Sequence, residues 1–254
     1  MKTSKFKERL IYFFIPIAVM LLTGLYVGLF YIDLFKLDSF AGSGNIITEE
    51  RSVGNFNKVS VSDGINLFIE QGSSGILTIE AEDNLIPRIG TRVIFGKLMI
   101  GFTGFSFVID STKPINVYVK VKELNDIELS GGASISCDEL KTDALEIDIT
   151  GESNADLTVQ CNSMVIDAAG GSVINIEGVT DRQEIELNSW ADYNAAGLDS
   201  RECFAEINSG ASADIDVSER LVAEIHSNGV LNYTGNPDIT QEVSSGGILN
   251  KIDE

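Results

Sequence analysis

Acidic side chains recur at nearly constant intervals in the second half of this 254-residue chain, and their type and spacing could support chemistry. Seven of them stand 18 to 20 residues apart: Glu128, Asp148, Asp167, Glu186, Glu206, Glu224 and Glu242. Their carboxylate oxygens are suitable ligands for Ca²⁺, which takes roughly six to eight oxygens. The same row would repel itself unless the side chains spread into solvent and salt screens them. No calcium-binding loop pattern accompanies the row, so we favour a solvated acidic face over a row of divalent-cation sites.

Other residues that could support catalysis are few. His226 is the only histidine, which excludes most catalytic triads and zinc sites. Five basic residues follow residue 125, and we expect none of them to share a column with the acids: Lys141, Arg182, Arg201, Arg220 and Lys251. We therefore predict no catalytic residues and no enzyme activity. Two alternatives stay open, a glycan-active β-helix enzyme and a divalent-cation-binding envelope protein. Trp190, in an outward turn position, is a candidate contact for a partner.

A repeat with the same period positions these acids. Seven phrases aligned on a turn residue, such as IELSGGASISC (127–137) and AEINSGASADI (205–215), place each acid between two inward positions that are almost always apolar. This in-out-in alternation predicts a short strand with one buried face. Small residues follow at a turn, and a second alternating strand follows the turn. The acids are therefore expected to form one column.

One strand, a compact corner, a second strand and a return path per 18 to 20 residues predict an all-β fold. The expected architecture is a right-handed parallel β-helix, or β-solenoid. Antiparallel hairpins are the alternative, but they would not keep one residue type in a column over seven units. The column six residues after the turn predicts a structural ladder of hydrogen bonds: Ser136, Asp156, Asn175, Asn194, Asp214, Asn232 and Asn250. Cys137, Cys161 and Cys203 fall in different columns, so we expect free thiols.

The N-terminal part of the chain predicts a membrane anchor. Residues 10–32 are 23 residues without a charge, long enough for a helix across a bilayer. Residues 1–9 hold four basic residues and one acid, so they form a cytoplasmic tail and everything after residue 32 lies outside. No small-x-small site follows, so we expect an uncleaved signal anchor. Residues 33–43 form a juxtamembrane linker and 44–254 the exterior domain, periplasmic or extracellular.

The overall charge limits the class of partner. The net charge of the chain is −20, and phosphate binding needs a basic surface. We therefore predict no nucleic-acid partner. Besides the membrane, which residues 10–32 would occupy, we consider an envelope protein or a glycan as partners, and we predict no cofactor, with Ca²⁺ as the alternative.

The ordered set of phrases resembles a known family. GSGNIITEERSVGNFNKVSVSDGINLFIEQG (42–72) contains the triplet Gly64-Ile65-Asn66, and LTIEAEDNLIP, KPINVYV, ELNDIELSGGAS and recurrent SGG-type turns follow it. Together they resemble the putative auto-transporter adhesin, head GIN domain family. The resemblance implies a bacterial cell-envelope protein with a right-handed β-helix, and it brings no catalytic residues. We therefore predict a membrane-anchored structural, adhesion or binding module.

Overall fold

The structure is a computed structural model that describes residues 38–73, 75–104 and 107–252. These residues form nineteen strands and one short 3₁₀ helix. The helix is Ile86–Arg88, and the strands are β1 Asp38–Ala41, β2 Ile46–Ser52, β3 Lys58–Val61, β4 Ile65–Gln71, β5 Ile76–Glu82, β6 Ile89–Ile94, β7 Lys97–Phe102, β8 Phe107–Asp110, β9 Ile115–Val121, β10 Asp126–Leu129, β11 Ser134–Lys141, β12 Ala144–Ile149, β13 Asn154–Ala168, β14 Val173–Leu187, β15 Asp192–Ile207, β16 Ser212–Ile225, β17 Val230–Thr234, β18 Asp238–Val243 and β19 Ile248–Lys251.

The chain divides into two compact units. The first contains a small sheet in which β1 pairs with β8. The second comprises residues 41–104 and 110–254 and holds the other seventeen strands. From β10 onward every pairing in this second unit is parallel, each strand beside its equivalent in the next repeat. This confirms the predicted β-solenoid, while its right-handed sense stays a prediction.

Each coil turns at a two-residue corner. Eight corners carry two consecutive residues with positive φ, from Asp63 and Gly64 to Ser245 and Gly246. Positive φ at both central residues is the geometry of a type I′ turn, which suits glycine because most side chains disfavour it. Successive corners are joined by hydrogen bonds, as from the Trp190 amide to the Ser209 carbonyl at 3.3 Å. A turn that is typical of hairpins here joins two strands of one coil.

The predicted return path is not a separate segment in the central coils. β13, β14, β15 and β16 are continuous strands of 14 to 16 residues that run from one corner to the next. The backbone of each pairs with the neighbouring coil over most of this length, so its polar groups are satisfied without a loop. Each coil therefore presents two faces that meet at the corner.

We name the faces by the strands that build them. The acidic face consists of the strand segments before each corner and begins with β6, β7, β3, β10 and β12. The ladder face consists of the segments after each corner and begins with β2, β5, β9, β4 and β11. The edge strands at the N-terminal end are thus β6 on one face and β2 on the other, and both pair in antiparallel fashion.

Inward columns from both faces form the core, which is mostly Ile, Leu, Val and Ala. Tyr193 is the largest fully buried side chain of the described residues. Its hydroxyl donates to Oε1 of Gln183 at 2.9 Å, and Nε2 of Gln183 donates to the Ser200 hydroxyl at 2.9 Å. These buried polar groups therefore satisfy one another. All three cysteines are buried and free, as expected.

The predicted membrane span at residues 10–32 lies outside the described residues. Within the described ranges the helix Ile86–Arg88 is three residues long, and no helix there is long and apolar enough to cross a bilayer.

Candidate binding surface

The seven predicted acids form one column on the acidic face, as their spacing indicated. Strand register places Glu128 beside Asp148, and the neighbour relation continues without a break to Glu242. Burial, together with the charges of Asp167, Glu128 and other nearby carboxylates, raises the pKa of Asp148. Parallel stacking thus brings like charges close enough to interact.

Hydrogen bonds and ion pairs occupy several members of this acidic column. Lys97 binds Glu128 and also lies 3.4 Å from Asp126. Further along, side-chain amides donate to Glu186 and to Glu206, at 3.2 and 2.9 Å. Among the described side chains, no three His, Cys, Asp or Glu converge on a point where they could hold a metal ion. Divalent-cation binding by the column stays a prediction.

No basic residue lies in the column of the seven acids, as expected, but two arginines share a different column with two other acids. Register places Arg182, Glu202, Arg220 and Asp238 in a single column of alternating charge. Arg182 lies 3.1 Å from Glu184 and 3.9 Å from Glu202, and its guanidinium stands 3.9 Å from the ring centroid of Phe204. The period of 18 to 20 residues that aligns the acids also aligns these side chains. Their ion pairs offset repulsion within the face.

Trp190 lies at a corner, where the sequence predicted an outward position. Its side chain is 75% exposed, and its φ is +66°. One side of the indole lies against Gly210 of the next corner, where an added Cβ would stand 3.1 Å from the ring. The rest of the ring faces solvent. The structure thus leaves Trp190 accessible, and its contact with a partner stays a prediction.

The predicted polar ladder forms on the ladder face, in two runs. Asn175 donates to Asp156 at 2.7 Å and Asn194 donates to Asn175 at 3.0 Å. Asn232 donates to Asp214 at 2.6 Å and Asn250 donates to Asn232 at 3.0 Å. An Asn side chain offers two N–H donors and an oxygen with two lone pairs. A middle member such as Asn175 therefore keeps one donor and one lone pair for a ligand.

A shallow groove follows this polar ladder. Its volume is about 470 Å³, and its walls are polar or acidic side chains with some aliphatic ones between them. Thr158 donates to Glu177 at 3.1 Å along one side. The ladder therefore presents hydrogen-bonding groups at an open, accessible surface.

An aromatic pair continues the same column toward the N-terminal end. Ser136 of the ladder column lies beside Phe68, and Phe68 lies beside Tyr118. The two rings stack with centroids 5.0 Å apart and planes 17° from parallel. Both remain accessible, at 39% and 41% exposure. This column thus changes from stacked rings to amides and carboxylates along one line.

The aromatic pair lines a second groove of about 560 Å³, which we call the aromatic groove. Ile76, which is exposed, and Thr78 form part of its wall. The ion pair between Lys120 and Glu70, at 2.6 Å, lies at the groove as well. Apolar surface beside a few polar groups is typical of small-molecule binding sites.

Sequence reasoning missed this aromatic groove. The segment VSVSDGINLFI (59–69) resembles one repeat, with Ser62 at the turn position, and Phe68 lies six residues after it, as the ladder residues do. The outward direction of Phe68 could therefore have been predicted. The position of Tyr118 could not have been predicted, because the chain forms β5, β6 and β7 between β4 and its partner β9. These inserted strands place Tyr118 outside the 18- to 20-residue spacing of the repeat.

Comparisons with known proteins agree with this architecture. Residues 55–237 match the family model described as putative auto-transporter adhesin, head GIN domain. A putative adhesin from Bacteroides fragilis has a similar structure, with TM-score 0.74 and 22% identity over 84% of this chain and 100% of that one. A putative lipid binding protein from Parabacteroides distasonis gives TM-score 0.72 and 20% identity over 85% and 100%. Among curated proteins, none matches the chain.

Proposed function

Because the chain belongs to the putative auto-transporter adhesin, head GIN domain family, we propose that it is a non-catalytic binding module of the cell envelope whose ladder face holds a neutral glycan. The observation that carries this proposal is the single outward column in which the stacked Phe68 and Tyr118 rings continue into an amide and carboxylate ladder.

The chemistry of this column matches that of a sugar chain. A sugar ring has an apolar face of C–H groups, which packs on aromatic surface, and hydroxyl groups, which exchange hydrogen bonds with amides and carboxylates. Neighbouring strands lie about 4.8 Å apart, so the ladder repeats its free donors and acceptors at a regular spacing. Many weak contacts of this kind would give useful strength through avidity.

The negative charge of the solenoid favours neutral glycans over acidic ones. Residues 126–254 contain 26 Asp and Glu against five Lys and Arg. Such a surface repels polyanions over distances comparable to the Debye length. A neutral polysaccharide therefore fits better than an acidic one. The ion pairs of Arg182 and Arg201 with carboxylates further support a structural role for these basic residues.

The proposed setting is the cell membrane, with the span at residues 10–32 as an uncleaved anchor, the N-terminus in the cytoplasm and the solenoid outside. The uncharged 23-residue run and its basic flank support this placement. In this arrangement the solenoid presents its ladder face to an external glycan while the anchor retains it at the cell. The relative described as a putative lipid binding protein supports a binding role as well.

Titration of the full chain in detergent with neutral oligosaccharides, including cellohexaose, laminarin and mannan, tests the proposal. At least one should bind, and the double variant Phe68→Ala, Tyr118→Ala should weaken that binding at least about tenfold, since aromatic anchors dominate such sites. Val165→Ala is the matched control, because Val165 is an exposed apolar residue of the acidic face. Equal affinity in the double variant, or hydrolysis of any of these glycans, would contradict the proposal.

A further inference from the structure

The hairpin between β6 and β7 presents an aromatic side chain with no cover from the described part of the chain. Phe95 is fully exposed, and its φ is +50°. Two-residue turns of this kind favour Asn, Asp or Gly, because bulky side chains are disfavoured at positive φ. Ile94, next to it, is 40% exposed. We call these two residues the apolar tip.

The backbone of the apolar tip is held in place. The carbonyl of Gly96 accepts hydrogen bonds from the amides of Asn57 and Lys58, at 3.1 and 3.2 Å. β6 and β7 pair along their whole length, from Ile94 beside Lys97 to Ile89 beside Phe102. Phe95 is therefore fixed in a solvent-facing position rather than carried on a loose loop.

Other exposed apolar side chains lie at the same end of the solenoid. β6 is the edge strand of the acidic face, and β2 is the edge strand of the ladder face. β2 begins with Ile46 and Ile47, which are 45% and 41% exposed. The N-terminal end thus exposes apolar side chains at the edge strands of both faces.

The charge of this end differs from that of the rest of the exterior domain. Residues 44–125 hold eight Lys and Arg against nine Asp and Glu, whereas residues 126–254 hold five against 26. A bilayer that contains anionic lipids has a negative surface potential. Such a surface repels the distal coils more strongly than the N-terminal end, where the exposed Arg92 lies two residues before Ile94 in the same strand.

The path of the chain leads to the same end. Gly44 is fixed there by its amide, which donates to the buried Glu82 carboxylate at 2.6 Å. The linker of residues 33–43 joins this point to the span predicted at residues 10–32. Eleven extended residues reach at most about 40 Å, so the N-terminal end stays near the bilayer that holds the anchor.

We infer that the apolar tip, Ile94 and Phe95, inserts into the headgroup region of the phospholipid bilayer, so that the N-terminal end of the solenoid rests on the membrane. Exposed apolar side chains beside a basic residue such as Arg92 are a combination that binds membrane interfaces. This inference rests on the proposed anchor, and it adds a second, non-spanning contact with lipid.

The chain contains one tryptophan, Trp190, which makes a direct test available. The full chain and the variant Phe95→Trp, Trp190→Phe are reconstituted into phosphatidylcholine vesicles with and without brominated acyl chains. Brominated acyl chains quench indole fluorescence only at short range, so a loss of emission reports an indole that lies in the bilayer. The tip tryptophan should lose at least half of its emission in brominated vesicles, whereas Trp190, at a distal corner, should lose almost none.

The remaining outcomes each count against the inference. An unquenched tip tryptophan in a chain that floats with the vesicles would overturn the tip contact and leave the anchor standing. A chain that fails to float would overturn both. A blue shift at the tip that depends on the protein-to-lipid ratio, without quenching, would point to a second copy of the chain instead. Binding of the neutral oligosaccharides by the same variant reports separately on the ladder face.

Discussion

Glu82 illustrates how a single residue fixes the N-terminal end of the solenoid. Its side chain is fully buried, and it accepts hydrogen bonds from the Gly44 amide at 2.6 Å, from the Thr112 amide and hydroxyl at 3.0 and 2.6 Å, and from the Ser111 hydroxyl at 3.0 Å. The Thr112 hydroxyl contributes most to lowering the pKa of Glu82 from 4.5 to about 2, against the opposing effect of burial. A network of hydrogen-bond donors thus stabilises the charged form of Glu82.

This network makes a prediction about pH. Since the folded state lowers the pKa of Glu82, the carboxylate stabilises the fold above pH 4.5, and this contribution is lost as the pH falls toward about 2. Glu82→Gln should therefore lower the midpoint of thermal unfolding by several degrees at pH 7 and by almost nothing near pH 2. Thermal melts of both proteins across this range provide the measurement. A difference that does not depend on pH would contradict the assignment.

The corner is the structural element that sets the register of the coils. The position three residues after the turn residue is buried in seven of the eight corners, as at Ala133, Ser153 and Ala191. The amide of Ala191 donates to the Asn188 carbonyl at 3.2 Å and closes the turn. Stacked corners leave little room for a larger side chain.

Enlarging this position should destabilise the fold. Ala191→Leu is expected to cost roughly 1–3 kcal/mol, because a well-packed site does not accept added methylene groups without strain. Chemical denaturation of the full chain in detergent measures the change. Glu186→Gln is the control from the same coil, since Glu186 is exposed and should tolerate the substitution. Equal losses at both positions would contradict the register.

The same element explains how much could be predicted from the sequence. In a parallel stack, a period along the chain becomes a column in space, so the acids from Glu128 to Glu242 and the ladder from Asp156 to Asn250 were predictable. Tyr118, the partner of Phe68, was not predictable, because antiparallel strands lie between β4 and β9 along the chain, although β4 and β9 pair in the sheet. The ion pairs of Arg182 were also missed, although their spacing follows the same period.

At the scale of the whole molecule, charge is distributed unevenly. The distal coils carry most of the acidic residues, and their stacked carboxylates repel one another. The column of Arg182, Glu202 and Arg220 offsets only part of this repulsion. The solenoid therefore folds against an electrostatic cost that solvent and salt reduce.

Salt should consequently stabilise the protein. Raising NaCl from about 10 mM to about 300 mM shortens the Debye length from roughly 30 Å to below 8 Å. We expect the midpoint of thermal unfolding to rise by roughly 2–4 °C, which corresponds to about 1 kcal/mol. The same thermal melts with Ca²⁺ at matched ionic strength distinguish a solvated acidic column from a column of specific cation sites. A further, saturable rise would support specific cation sites, whereas an equal rise supports a solvated face.

The central claim is that the ladder face binds a neutral glycan. Hydrogen exchange of the full chain in detergent, measured with and without whichever of cellohexaose, laminarin or mannan binds, tests it most directly. We predict that added protection concentrates in β4 and β9, around Phe68 and Tyr118, and extends into the first halves of β13 and β14 along the ladder. Added protection that is confined to the acidic face or to the corner at Trp190 would contradict the account. The absence of added protection on both faces would contradict it as well.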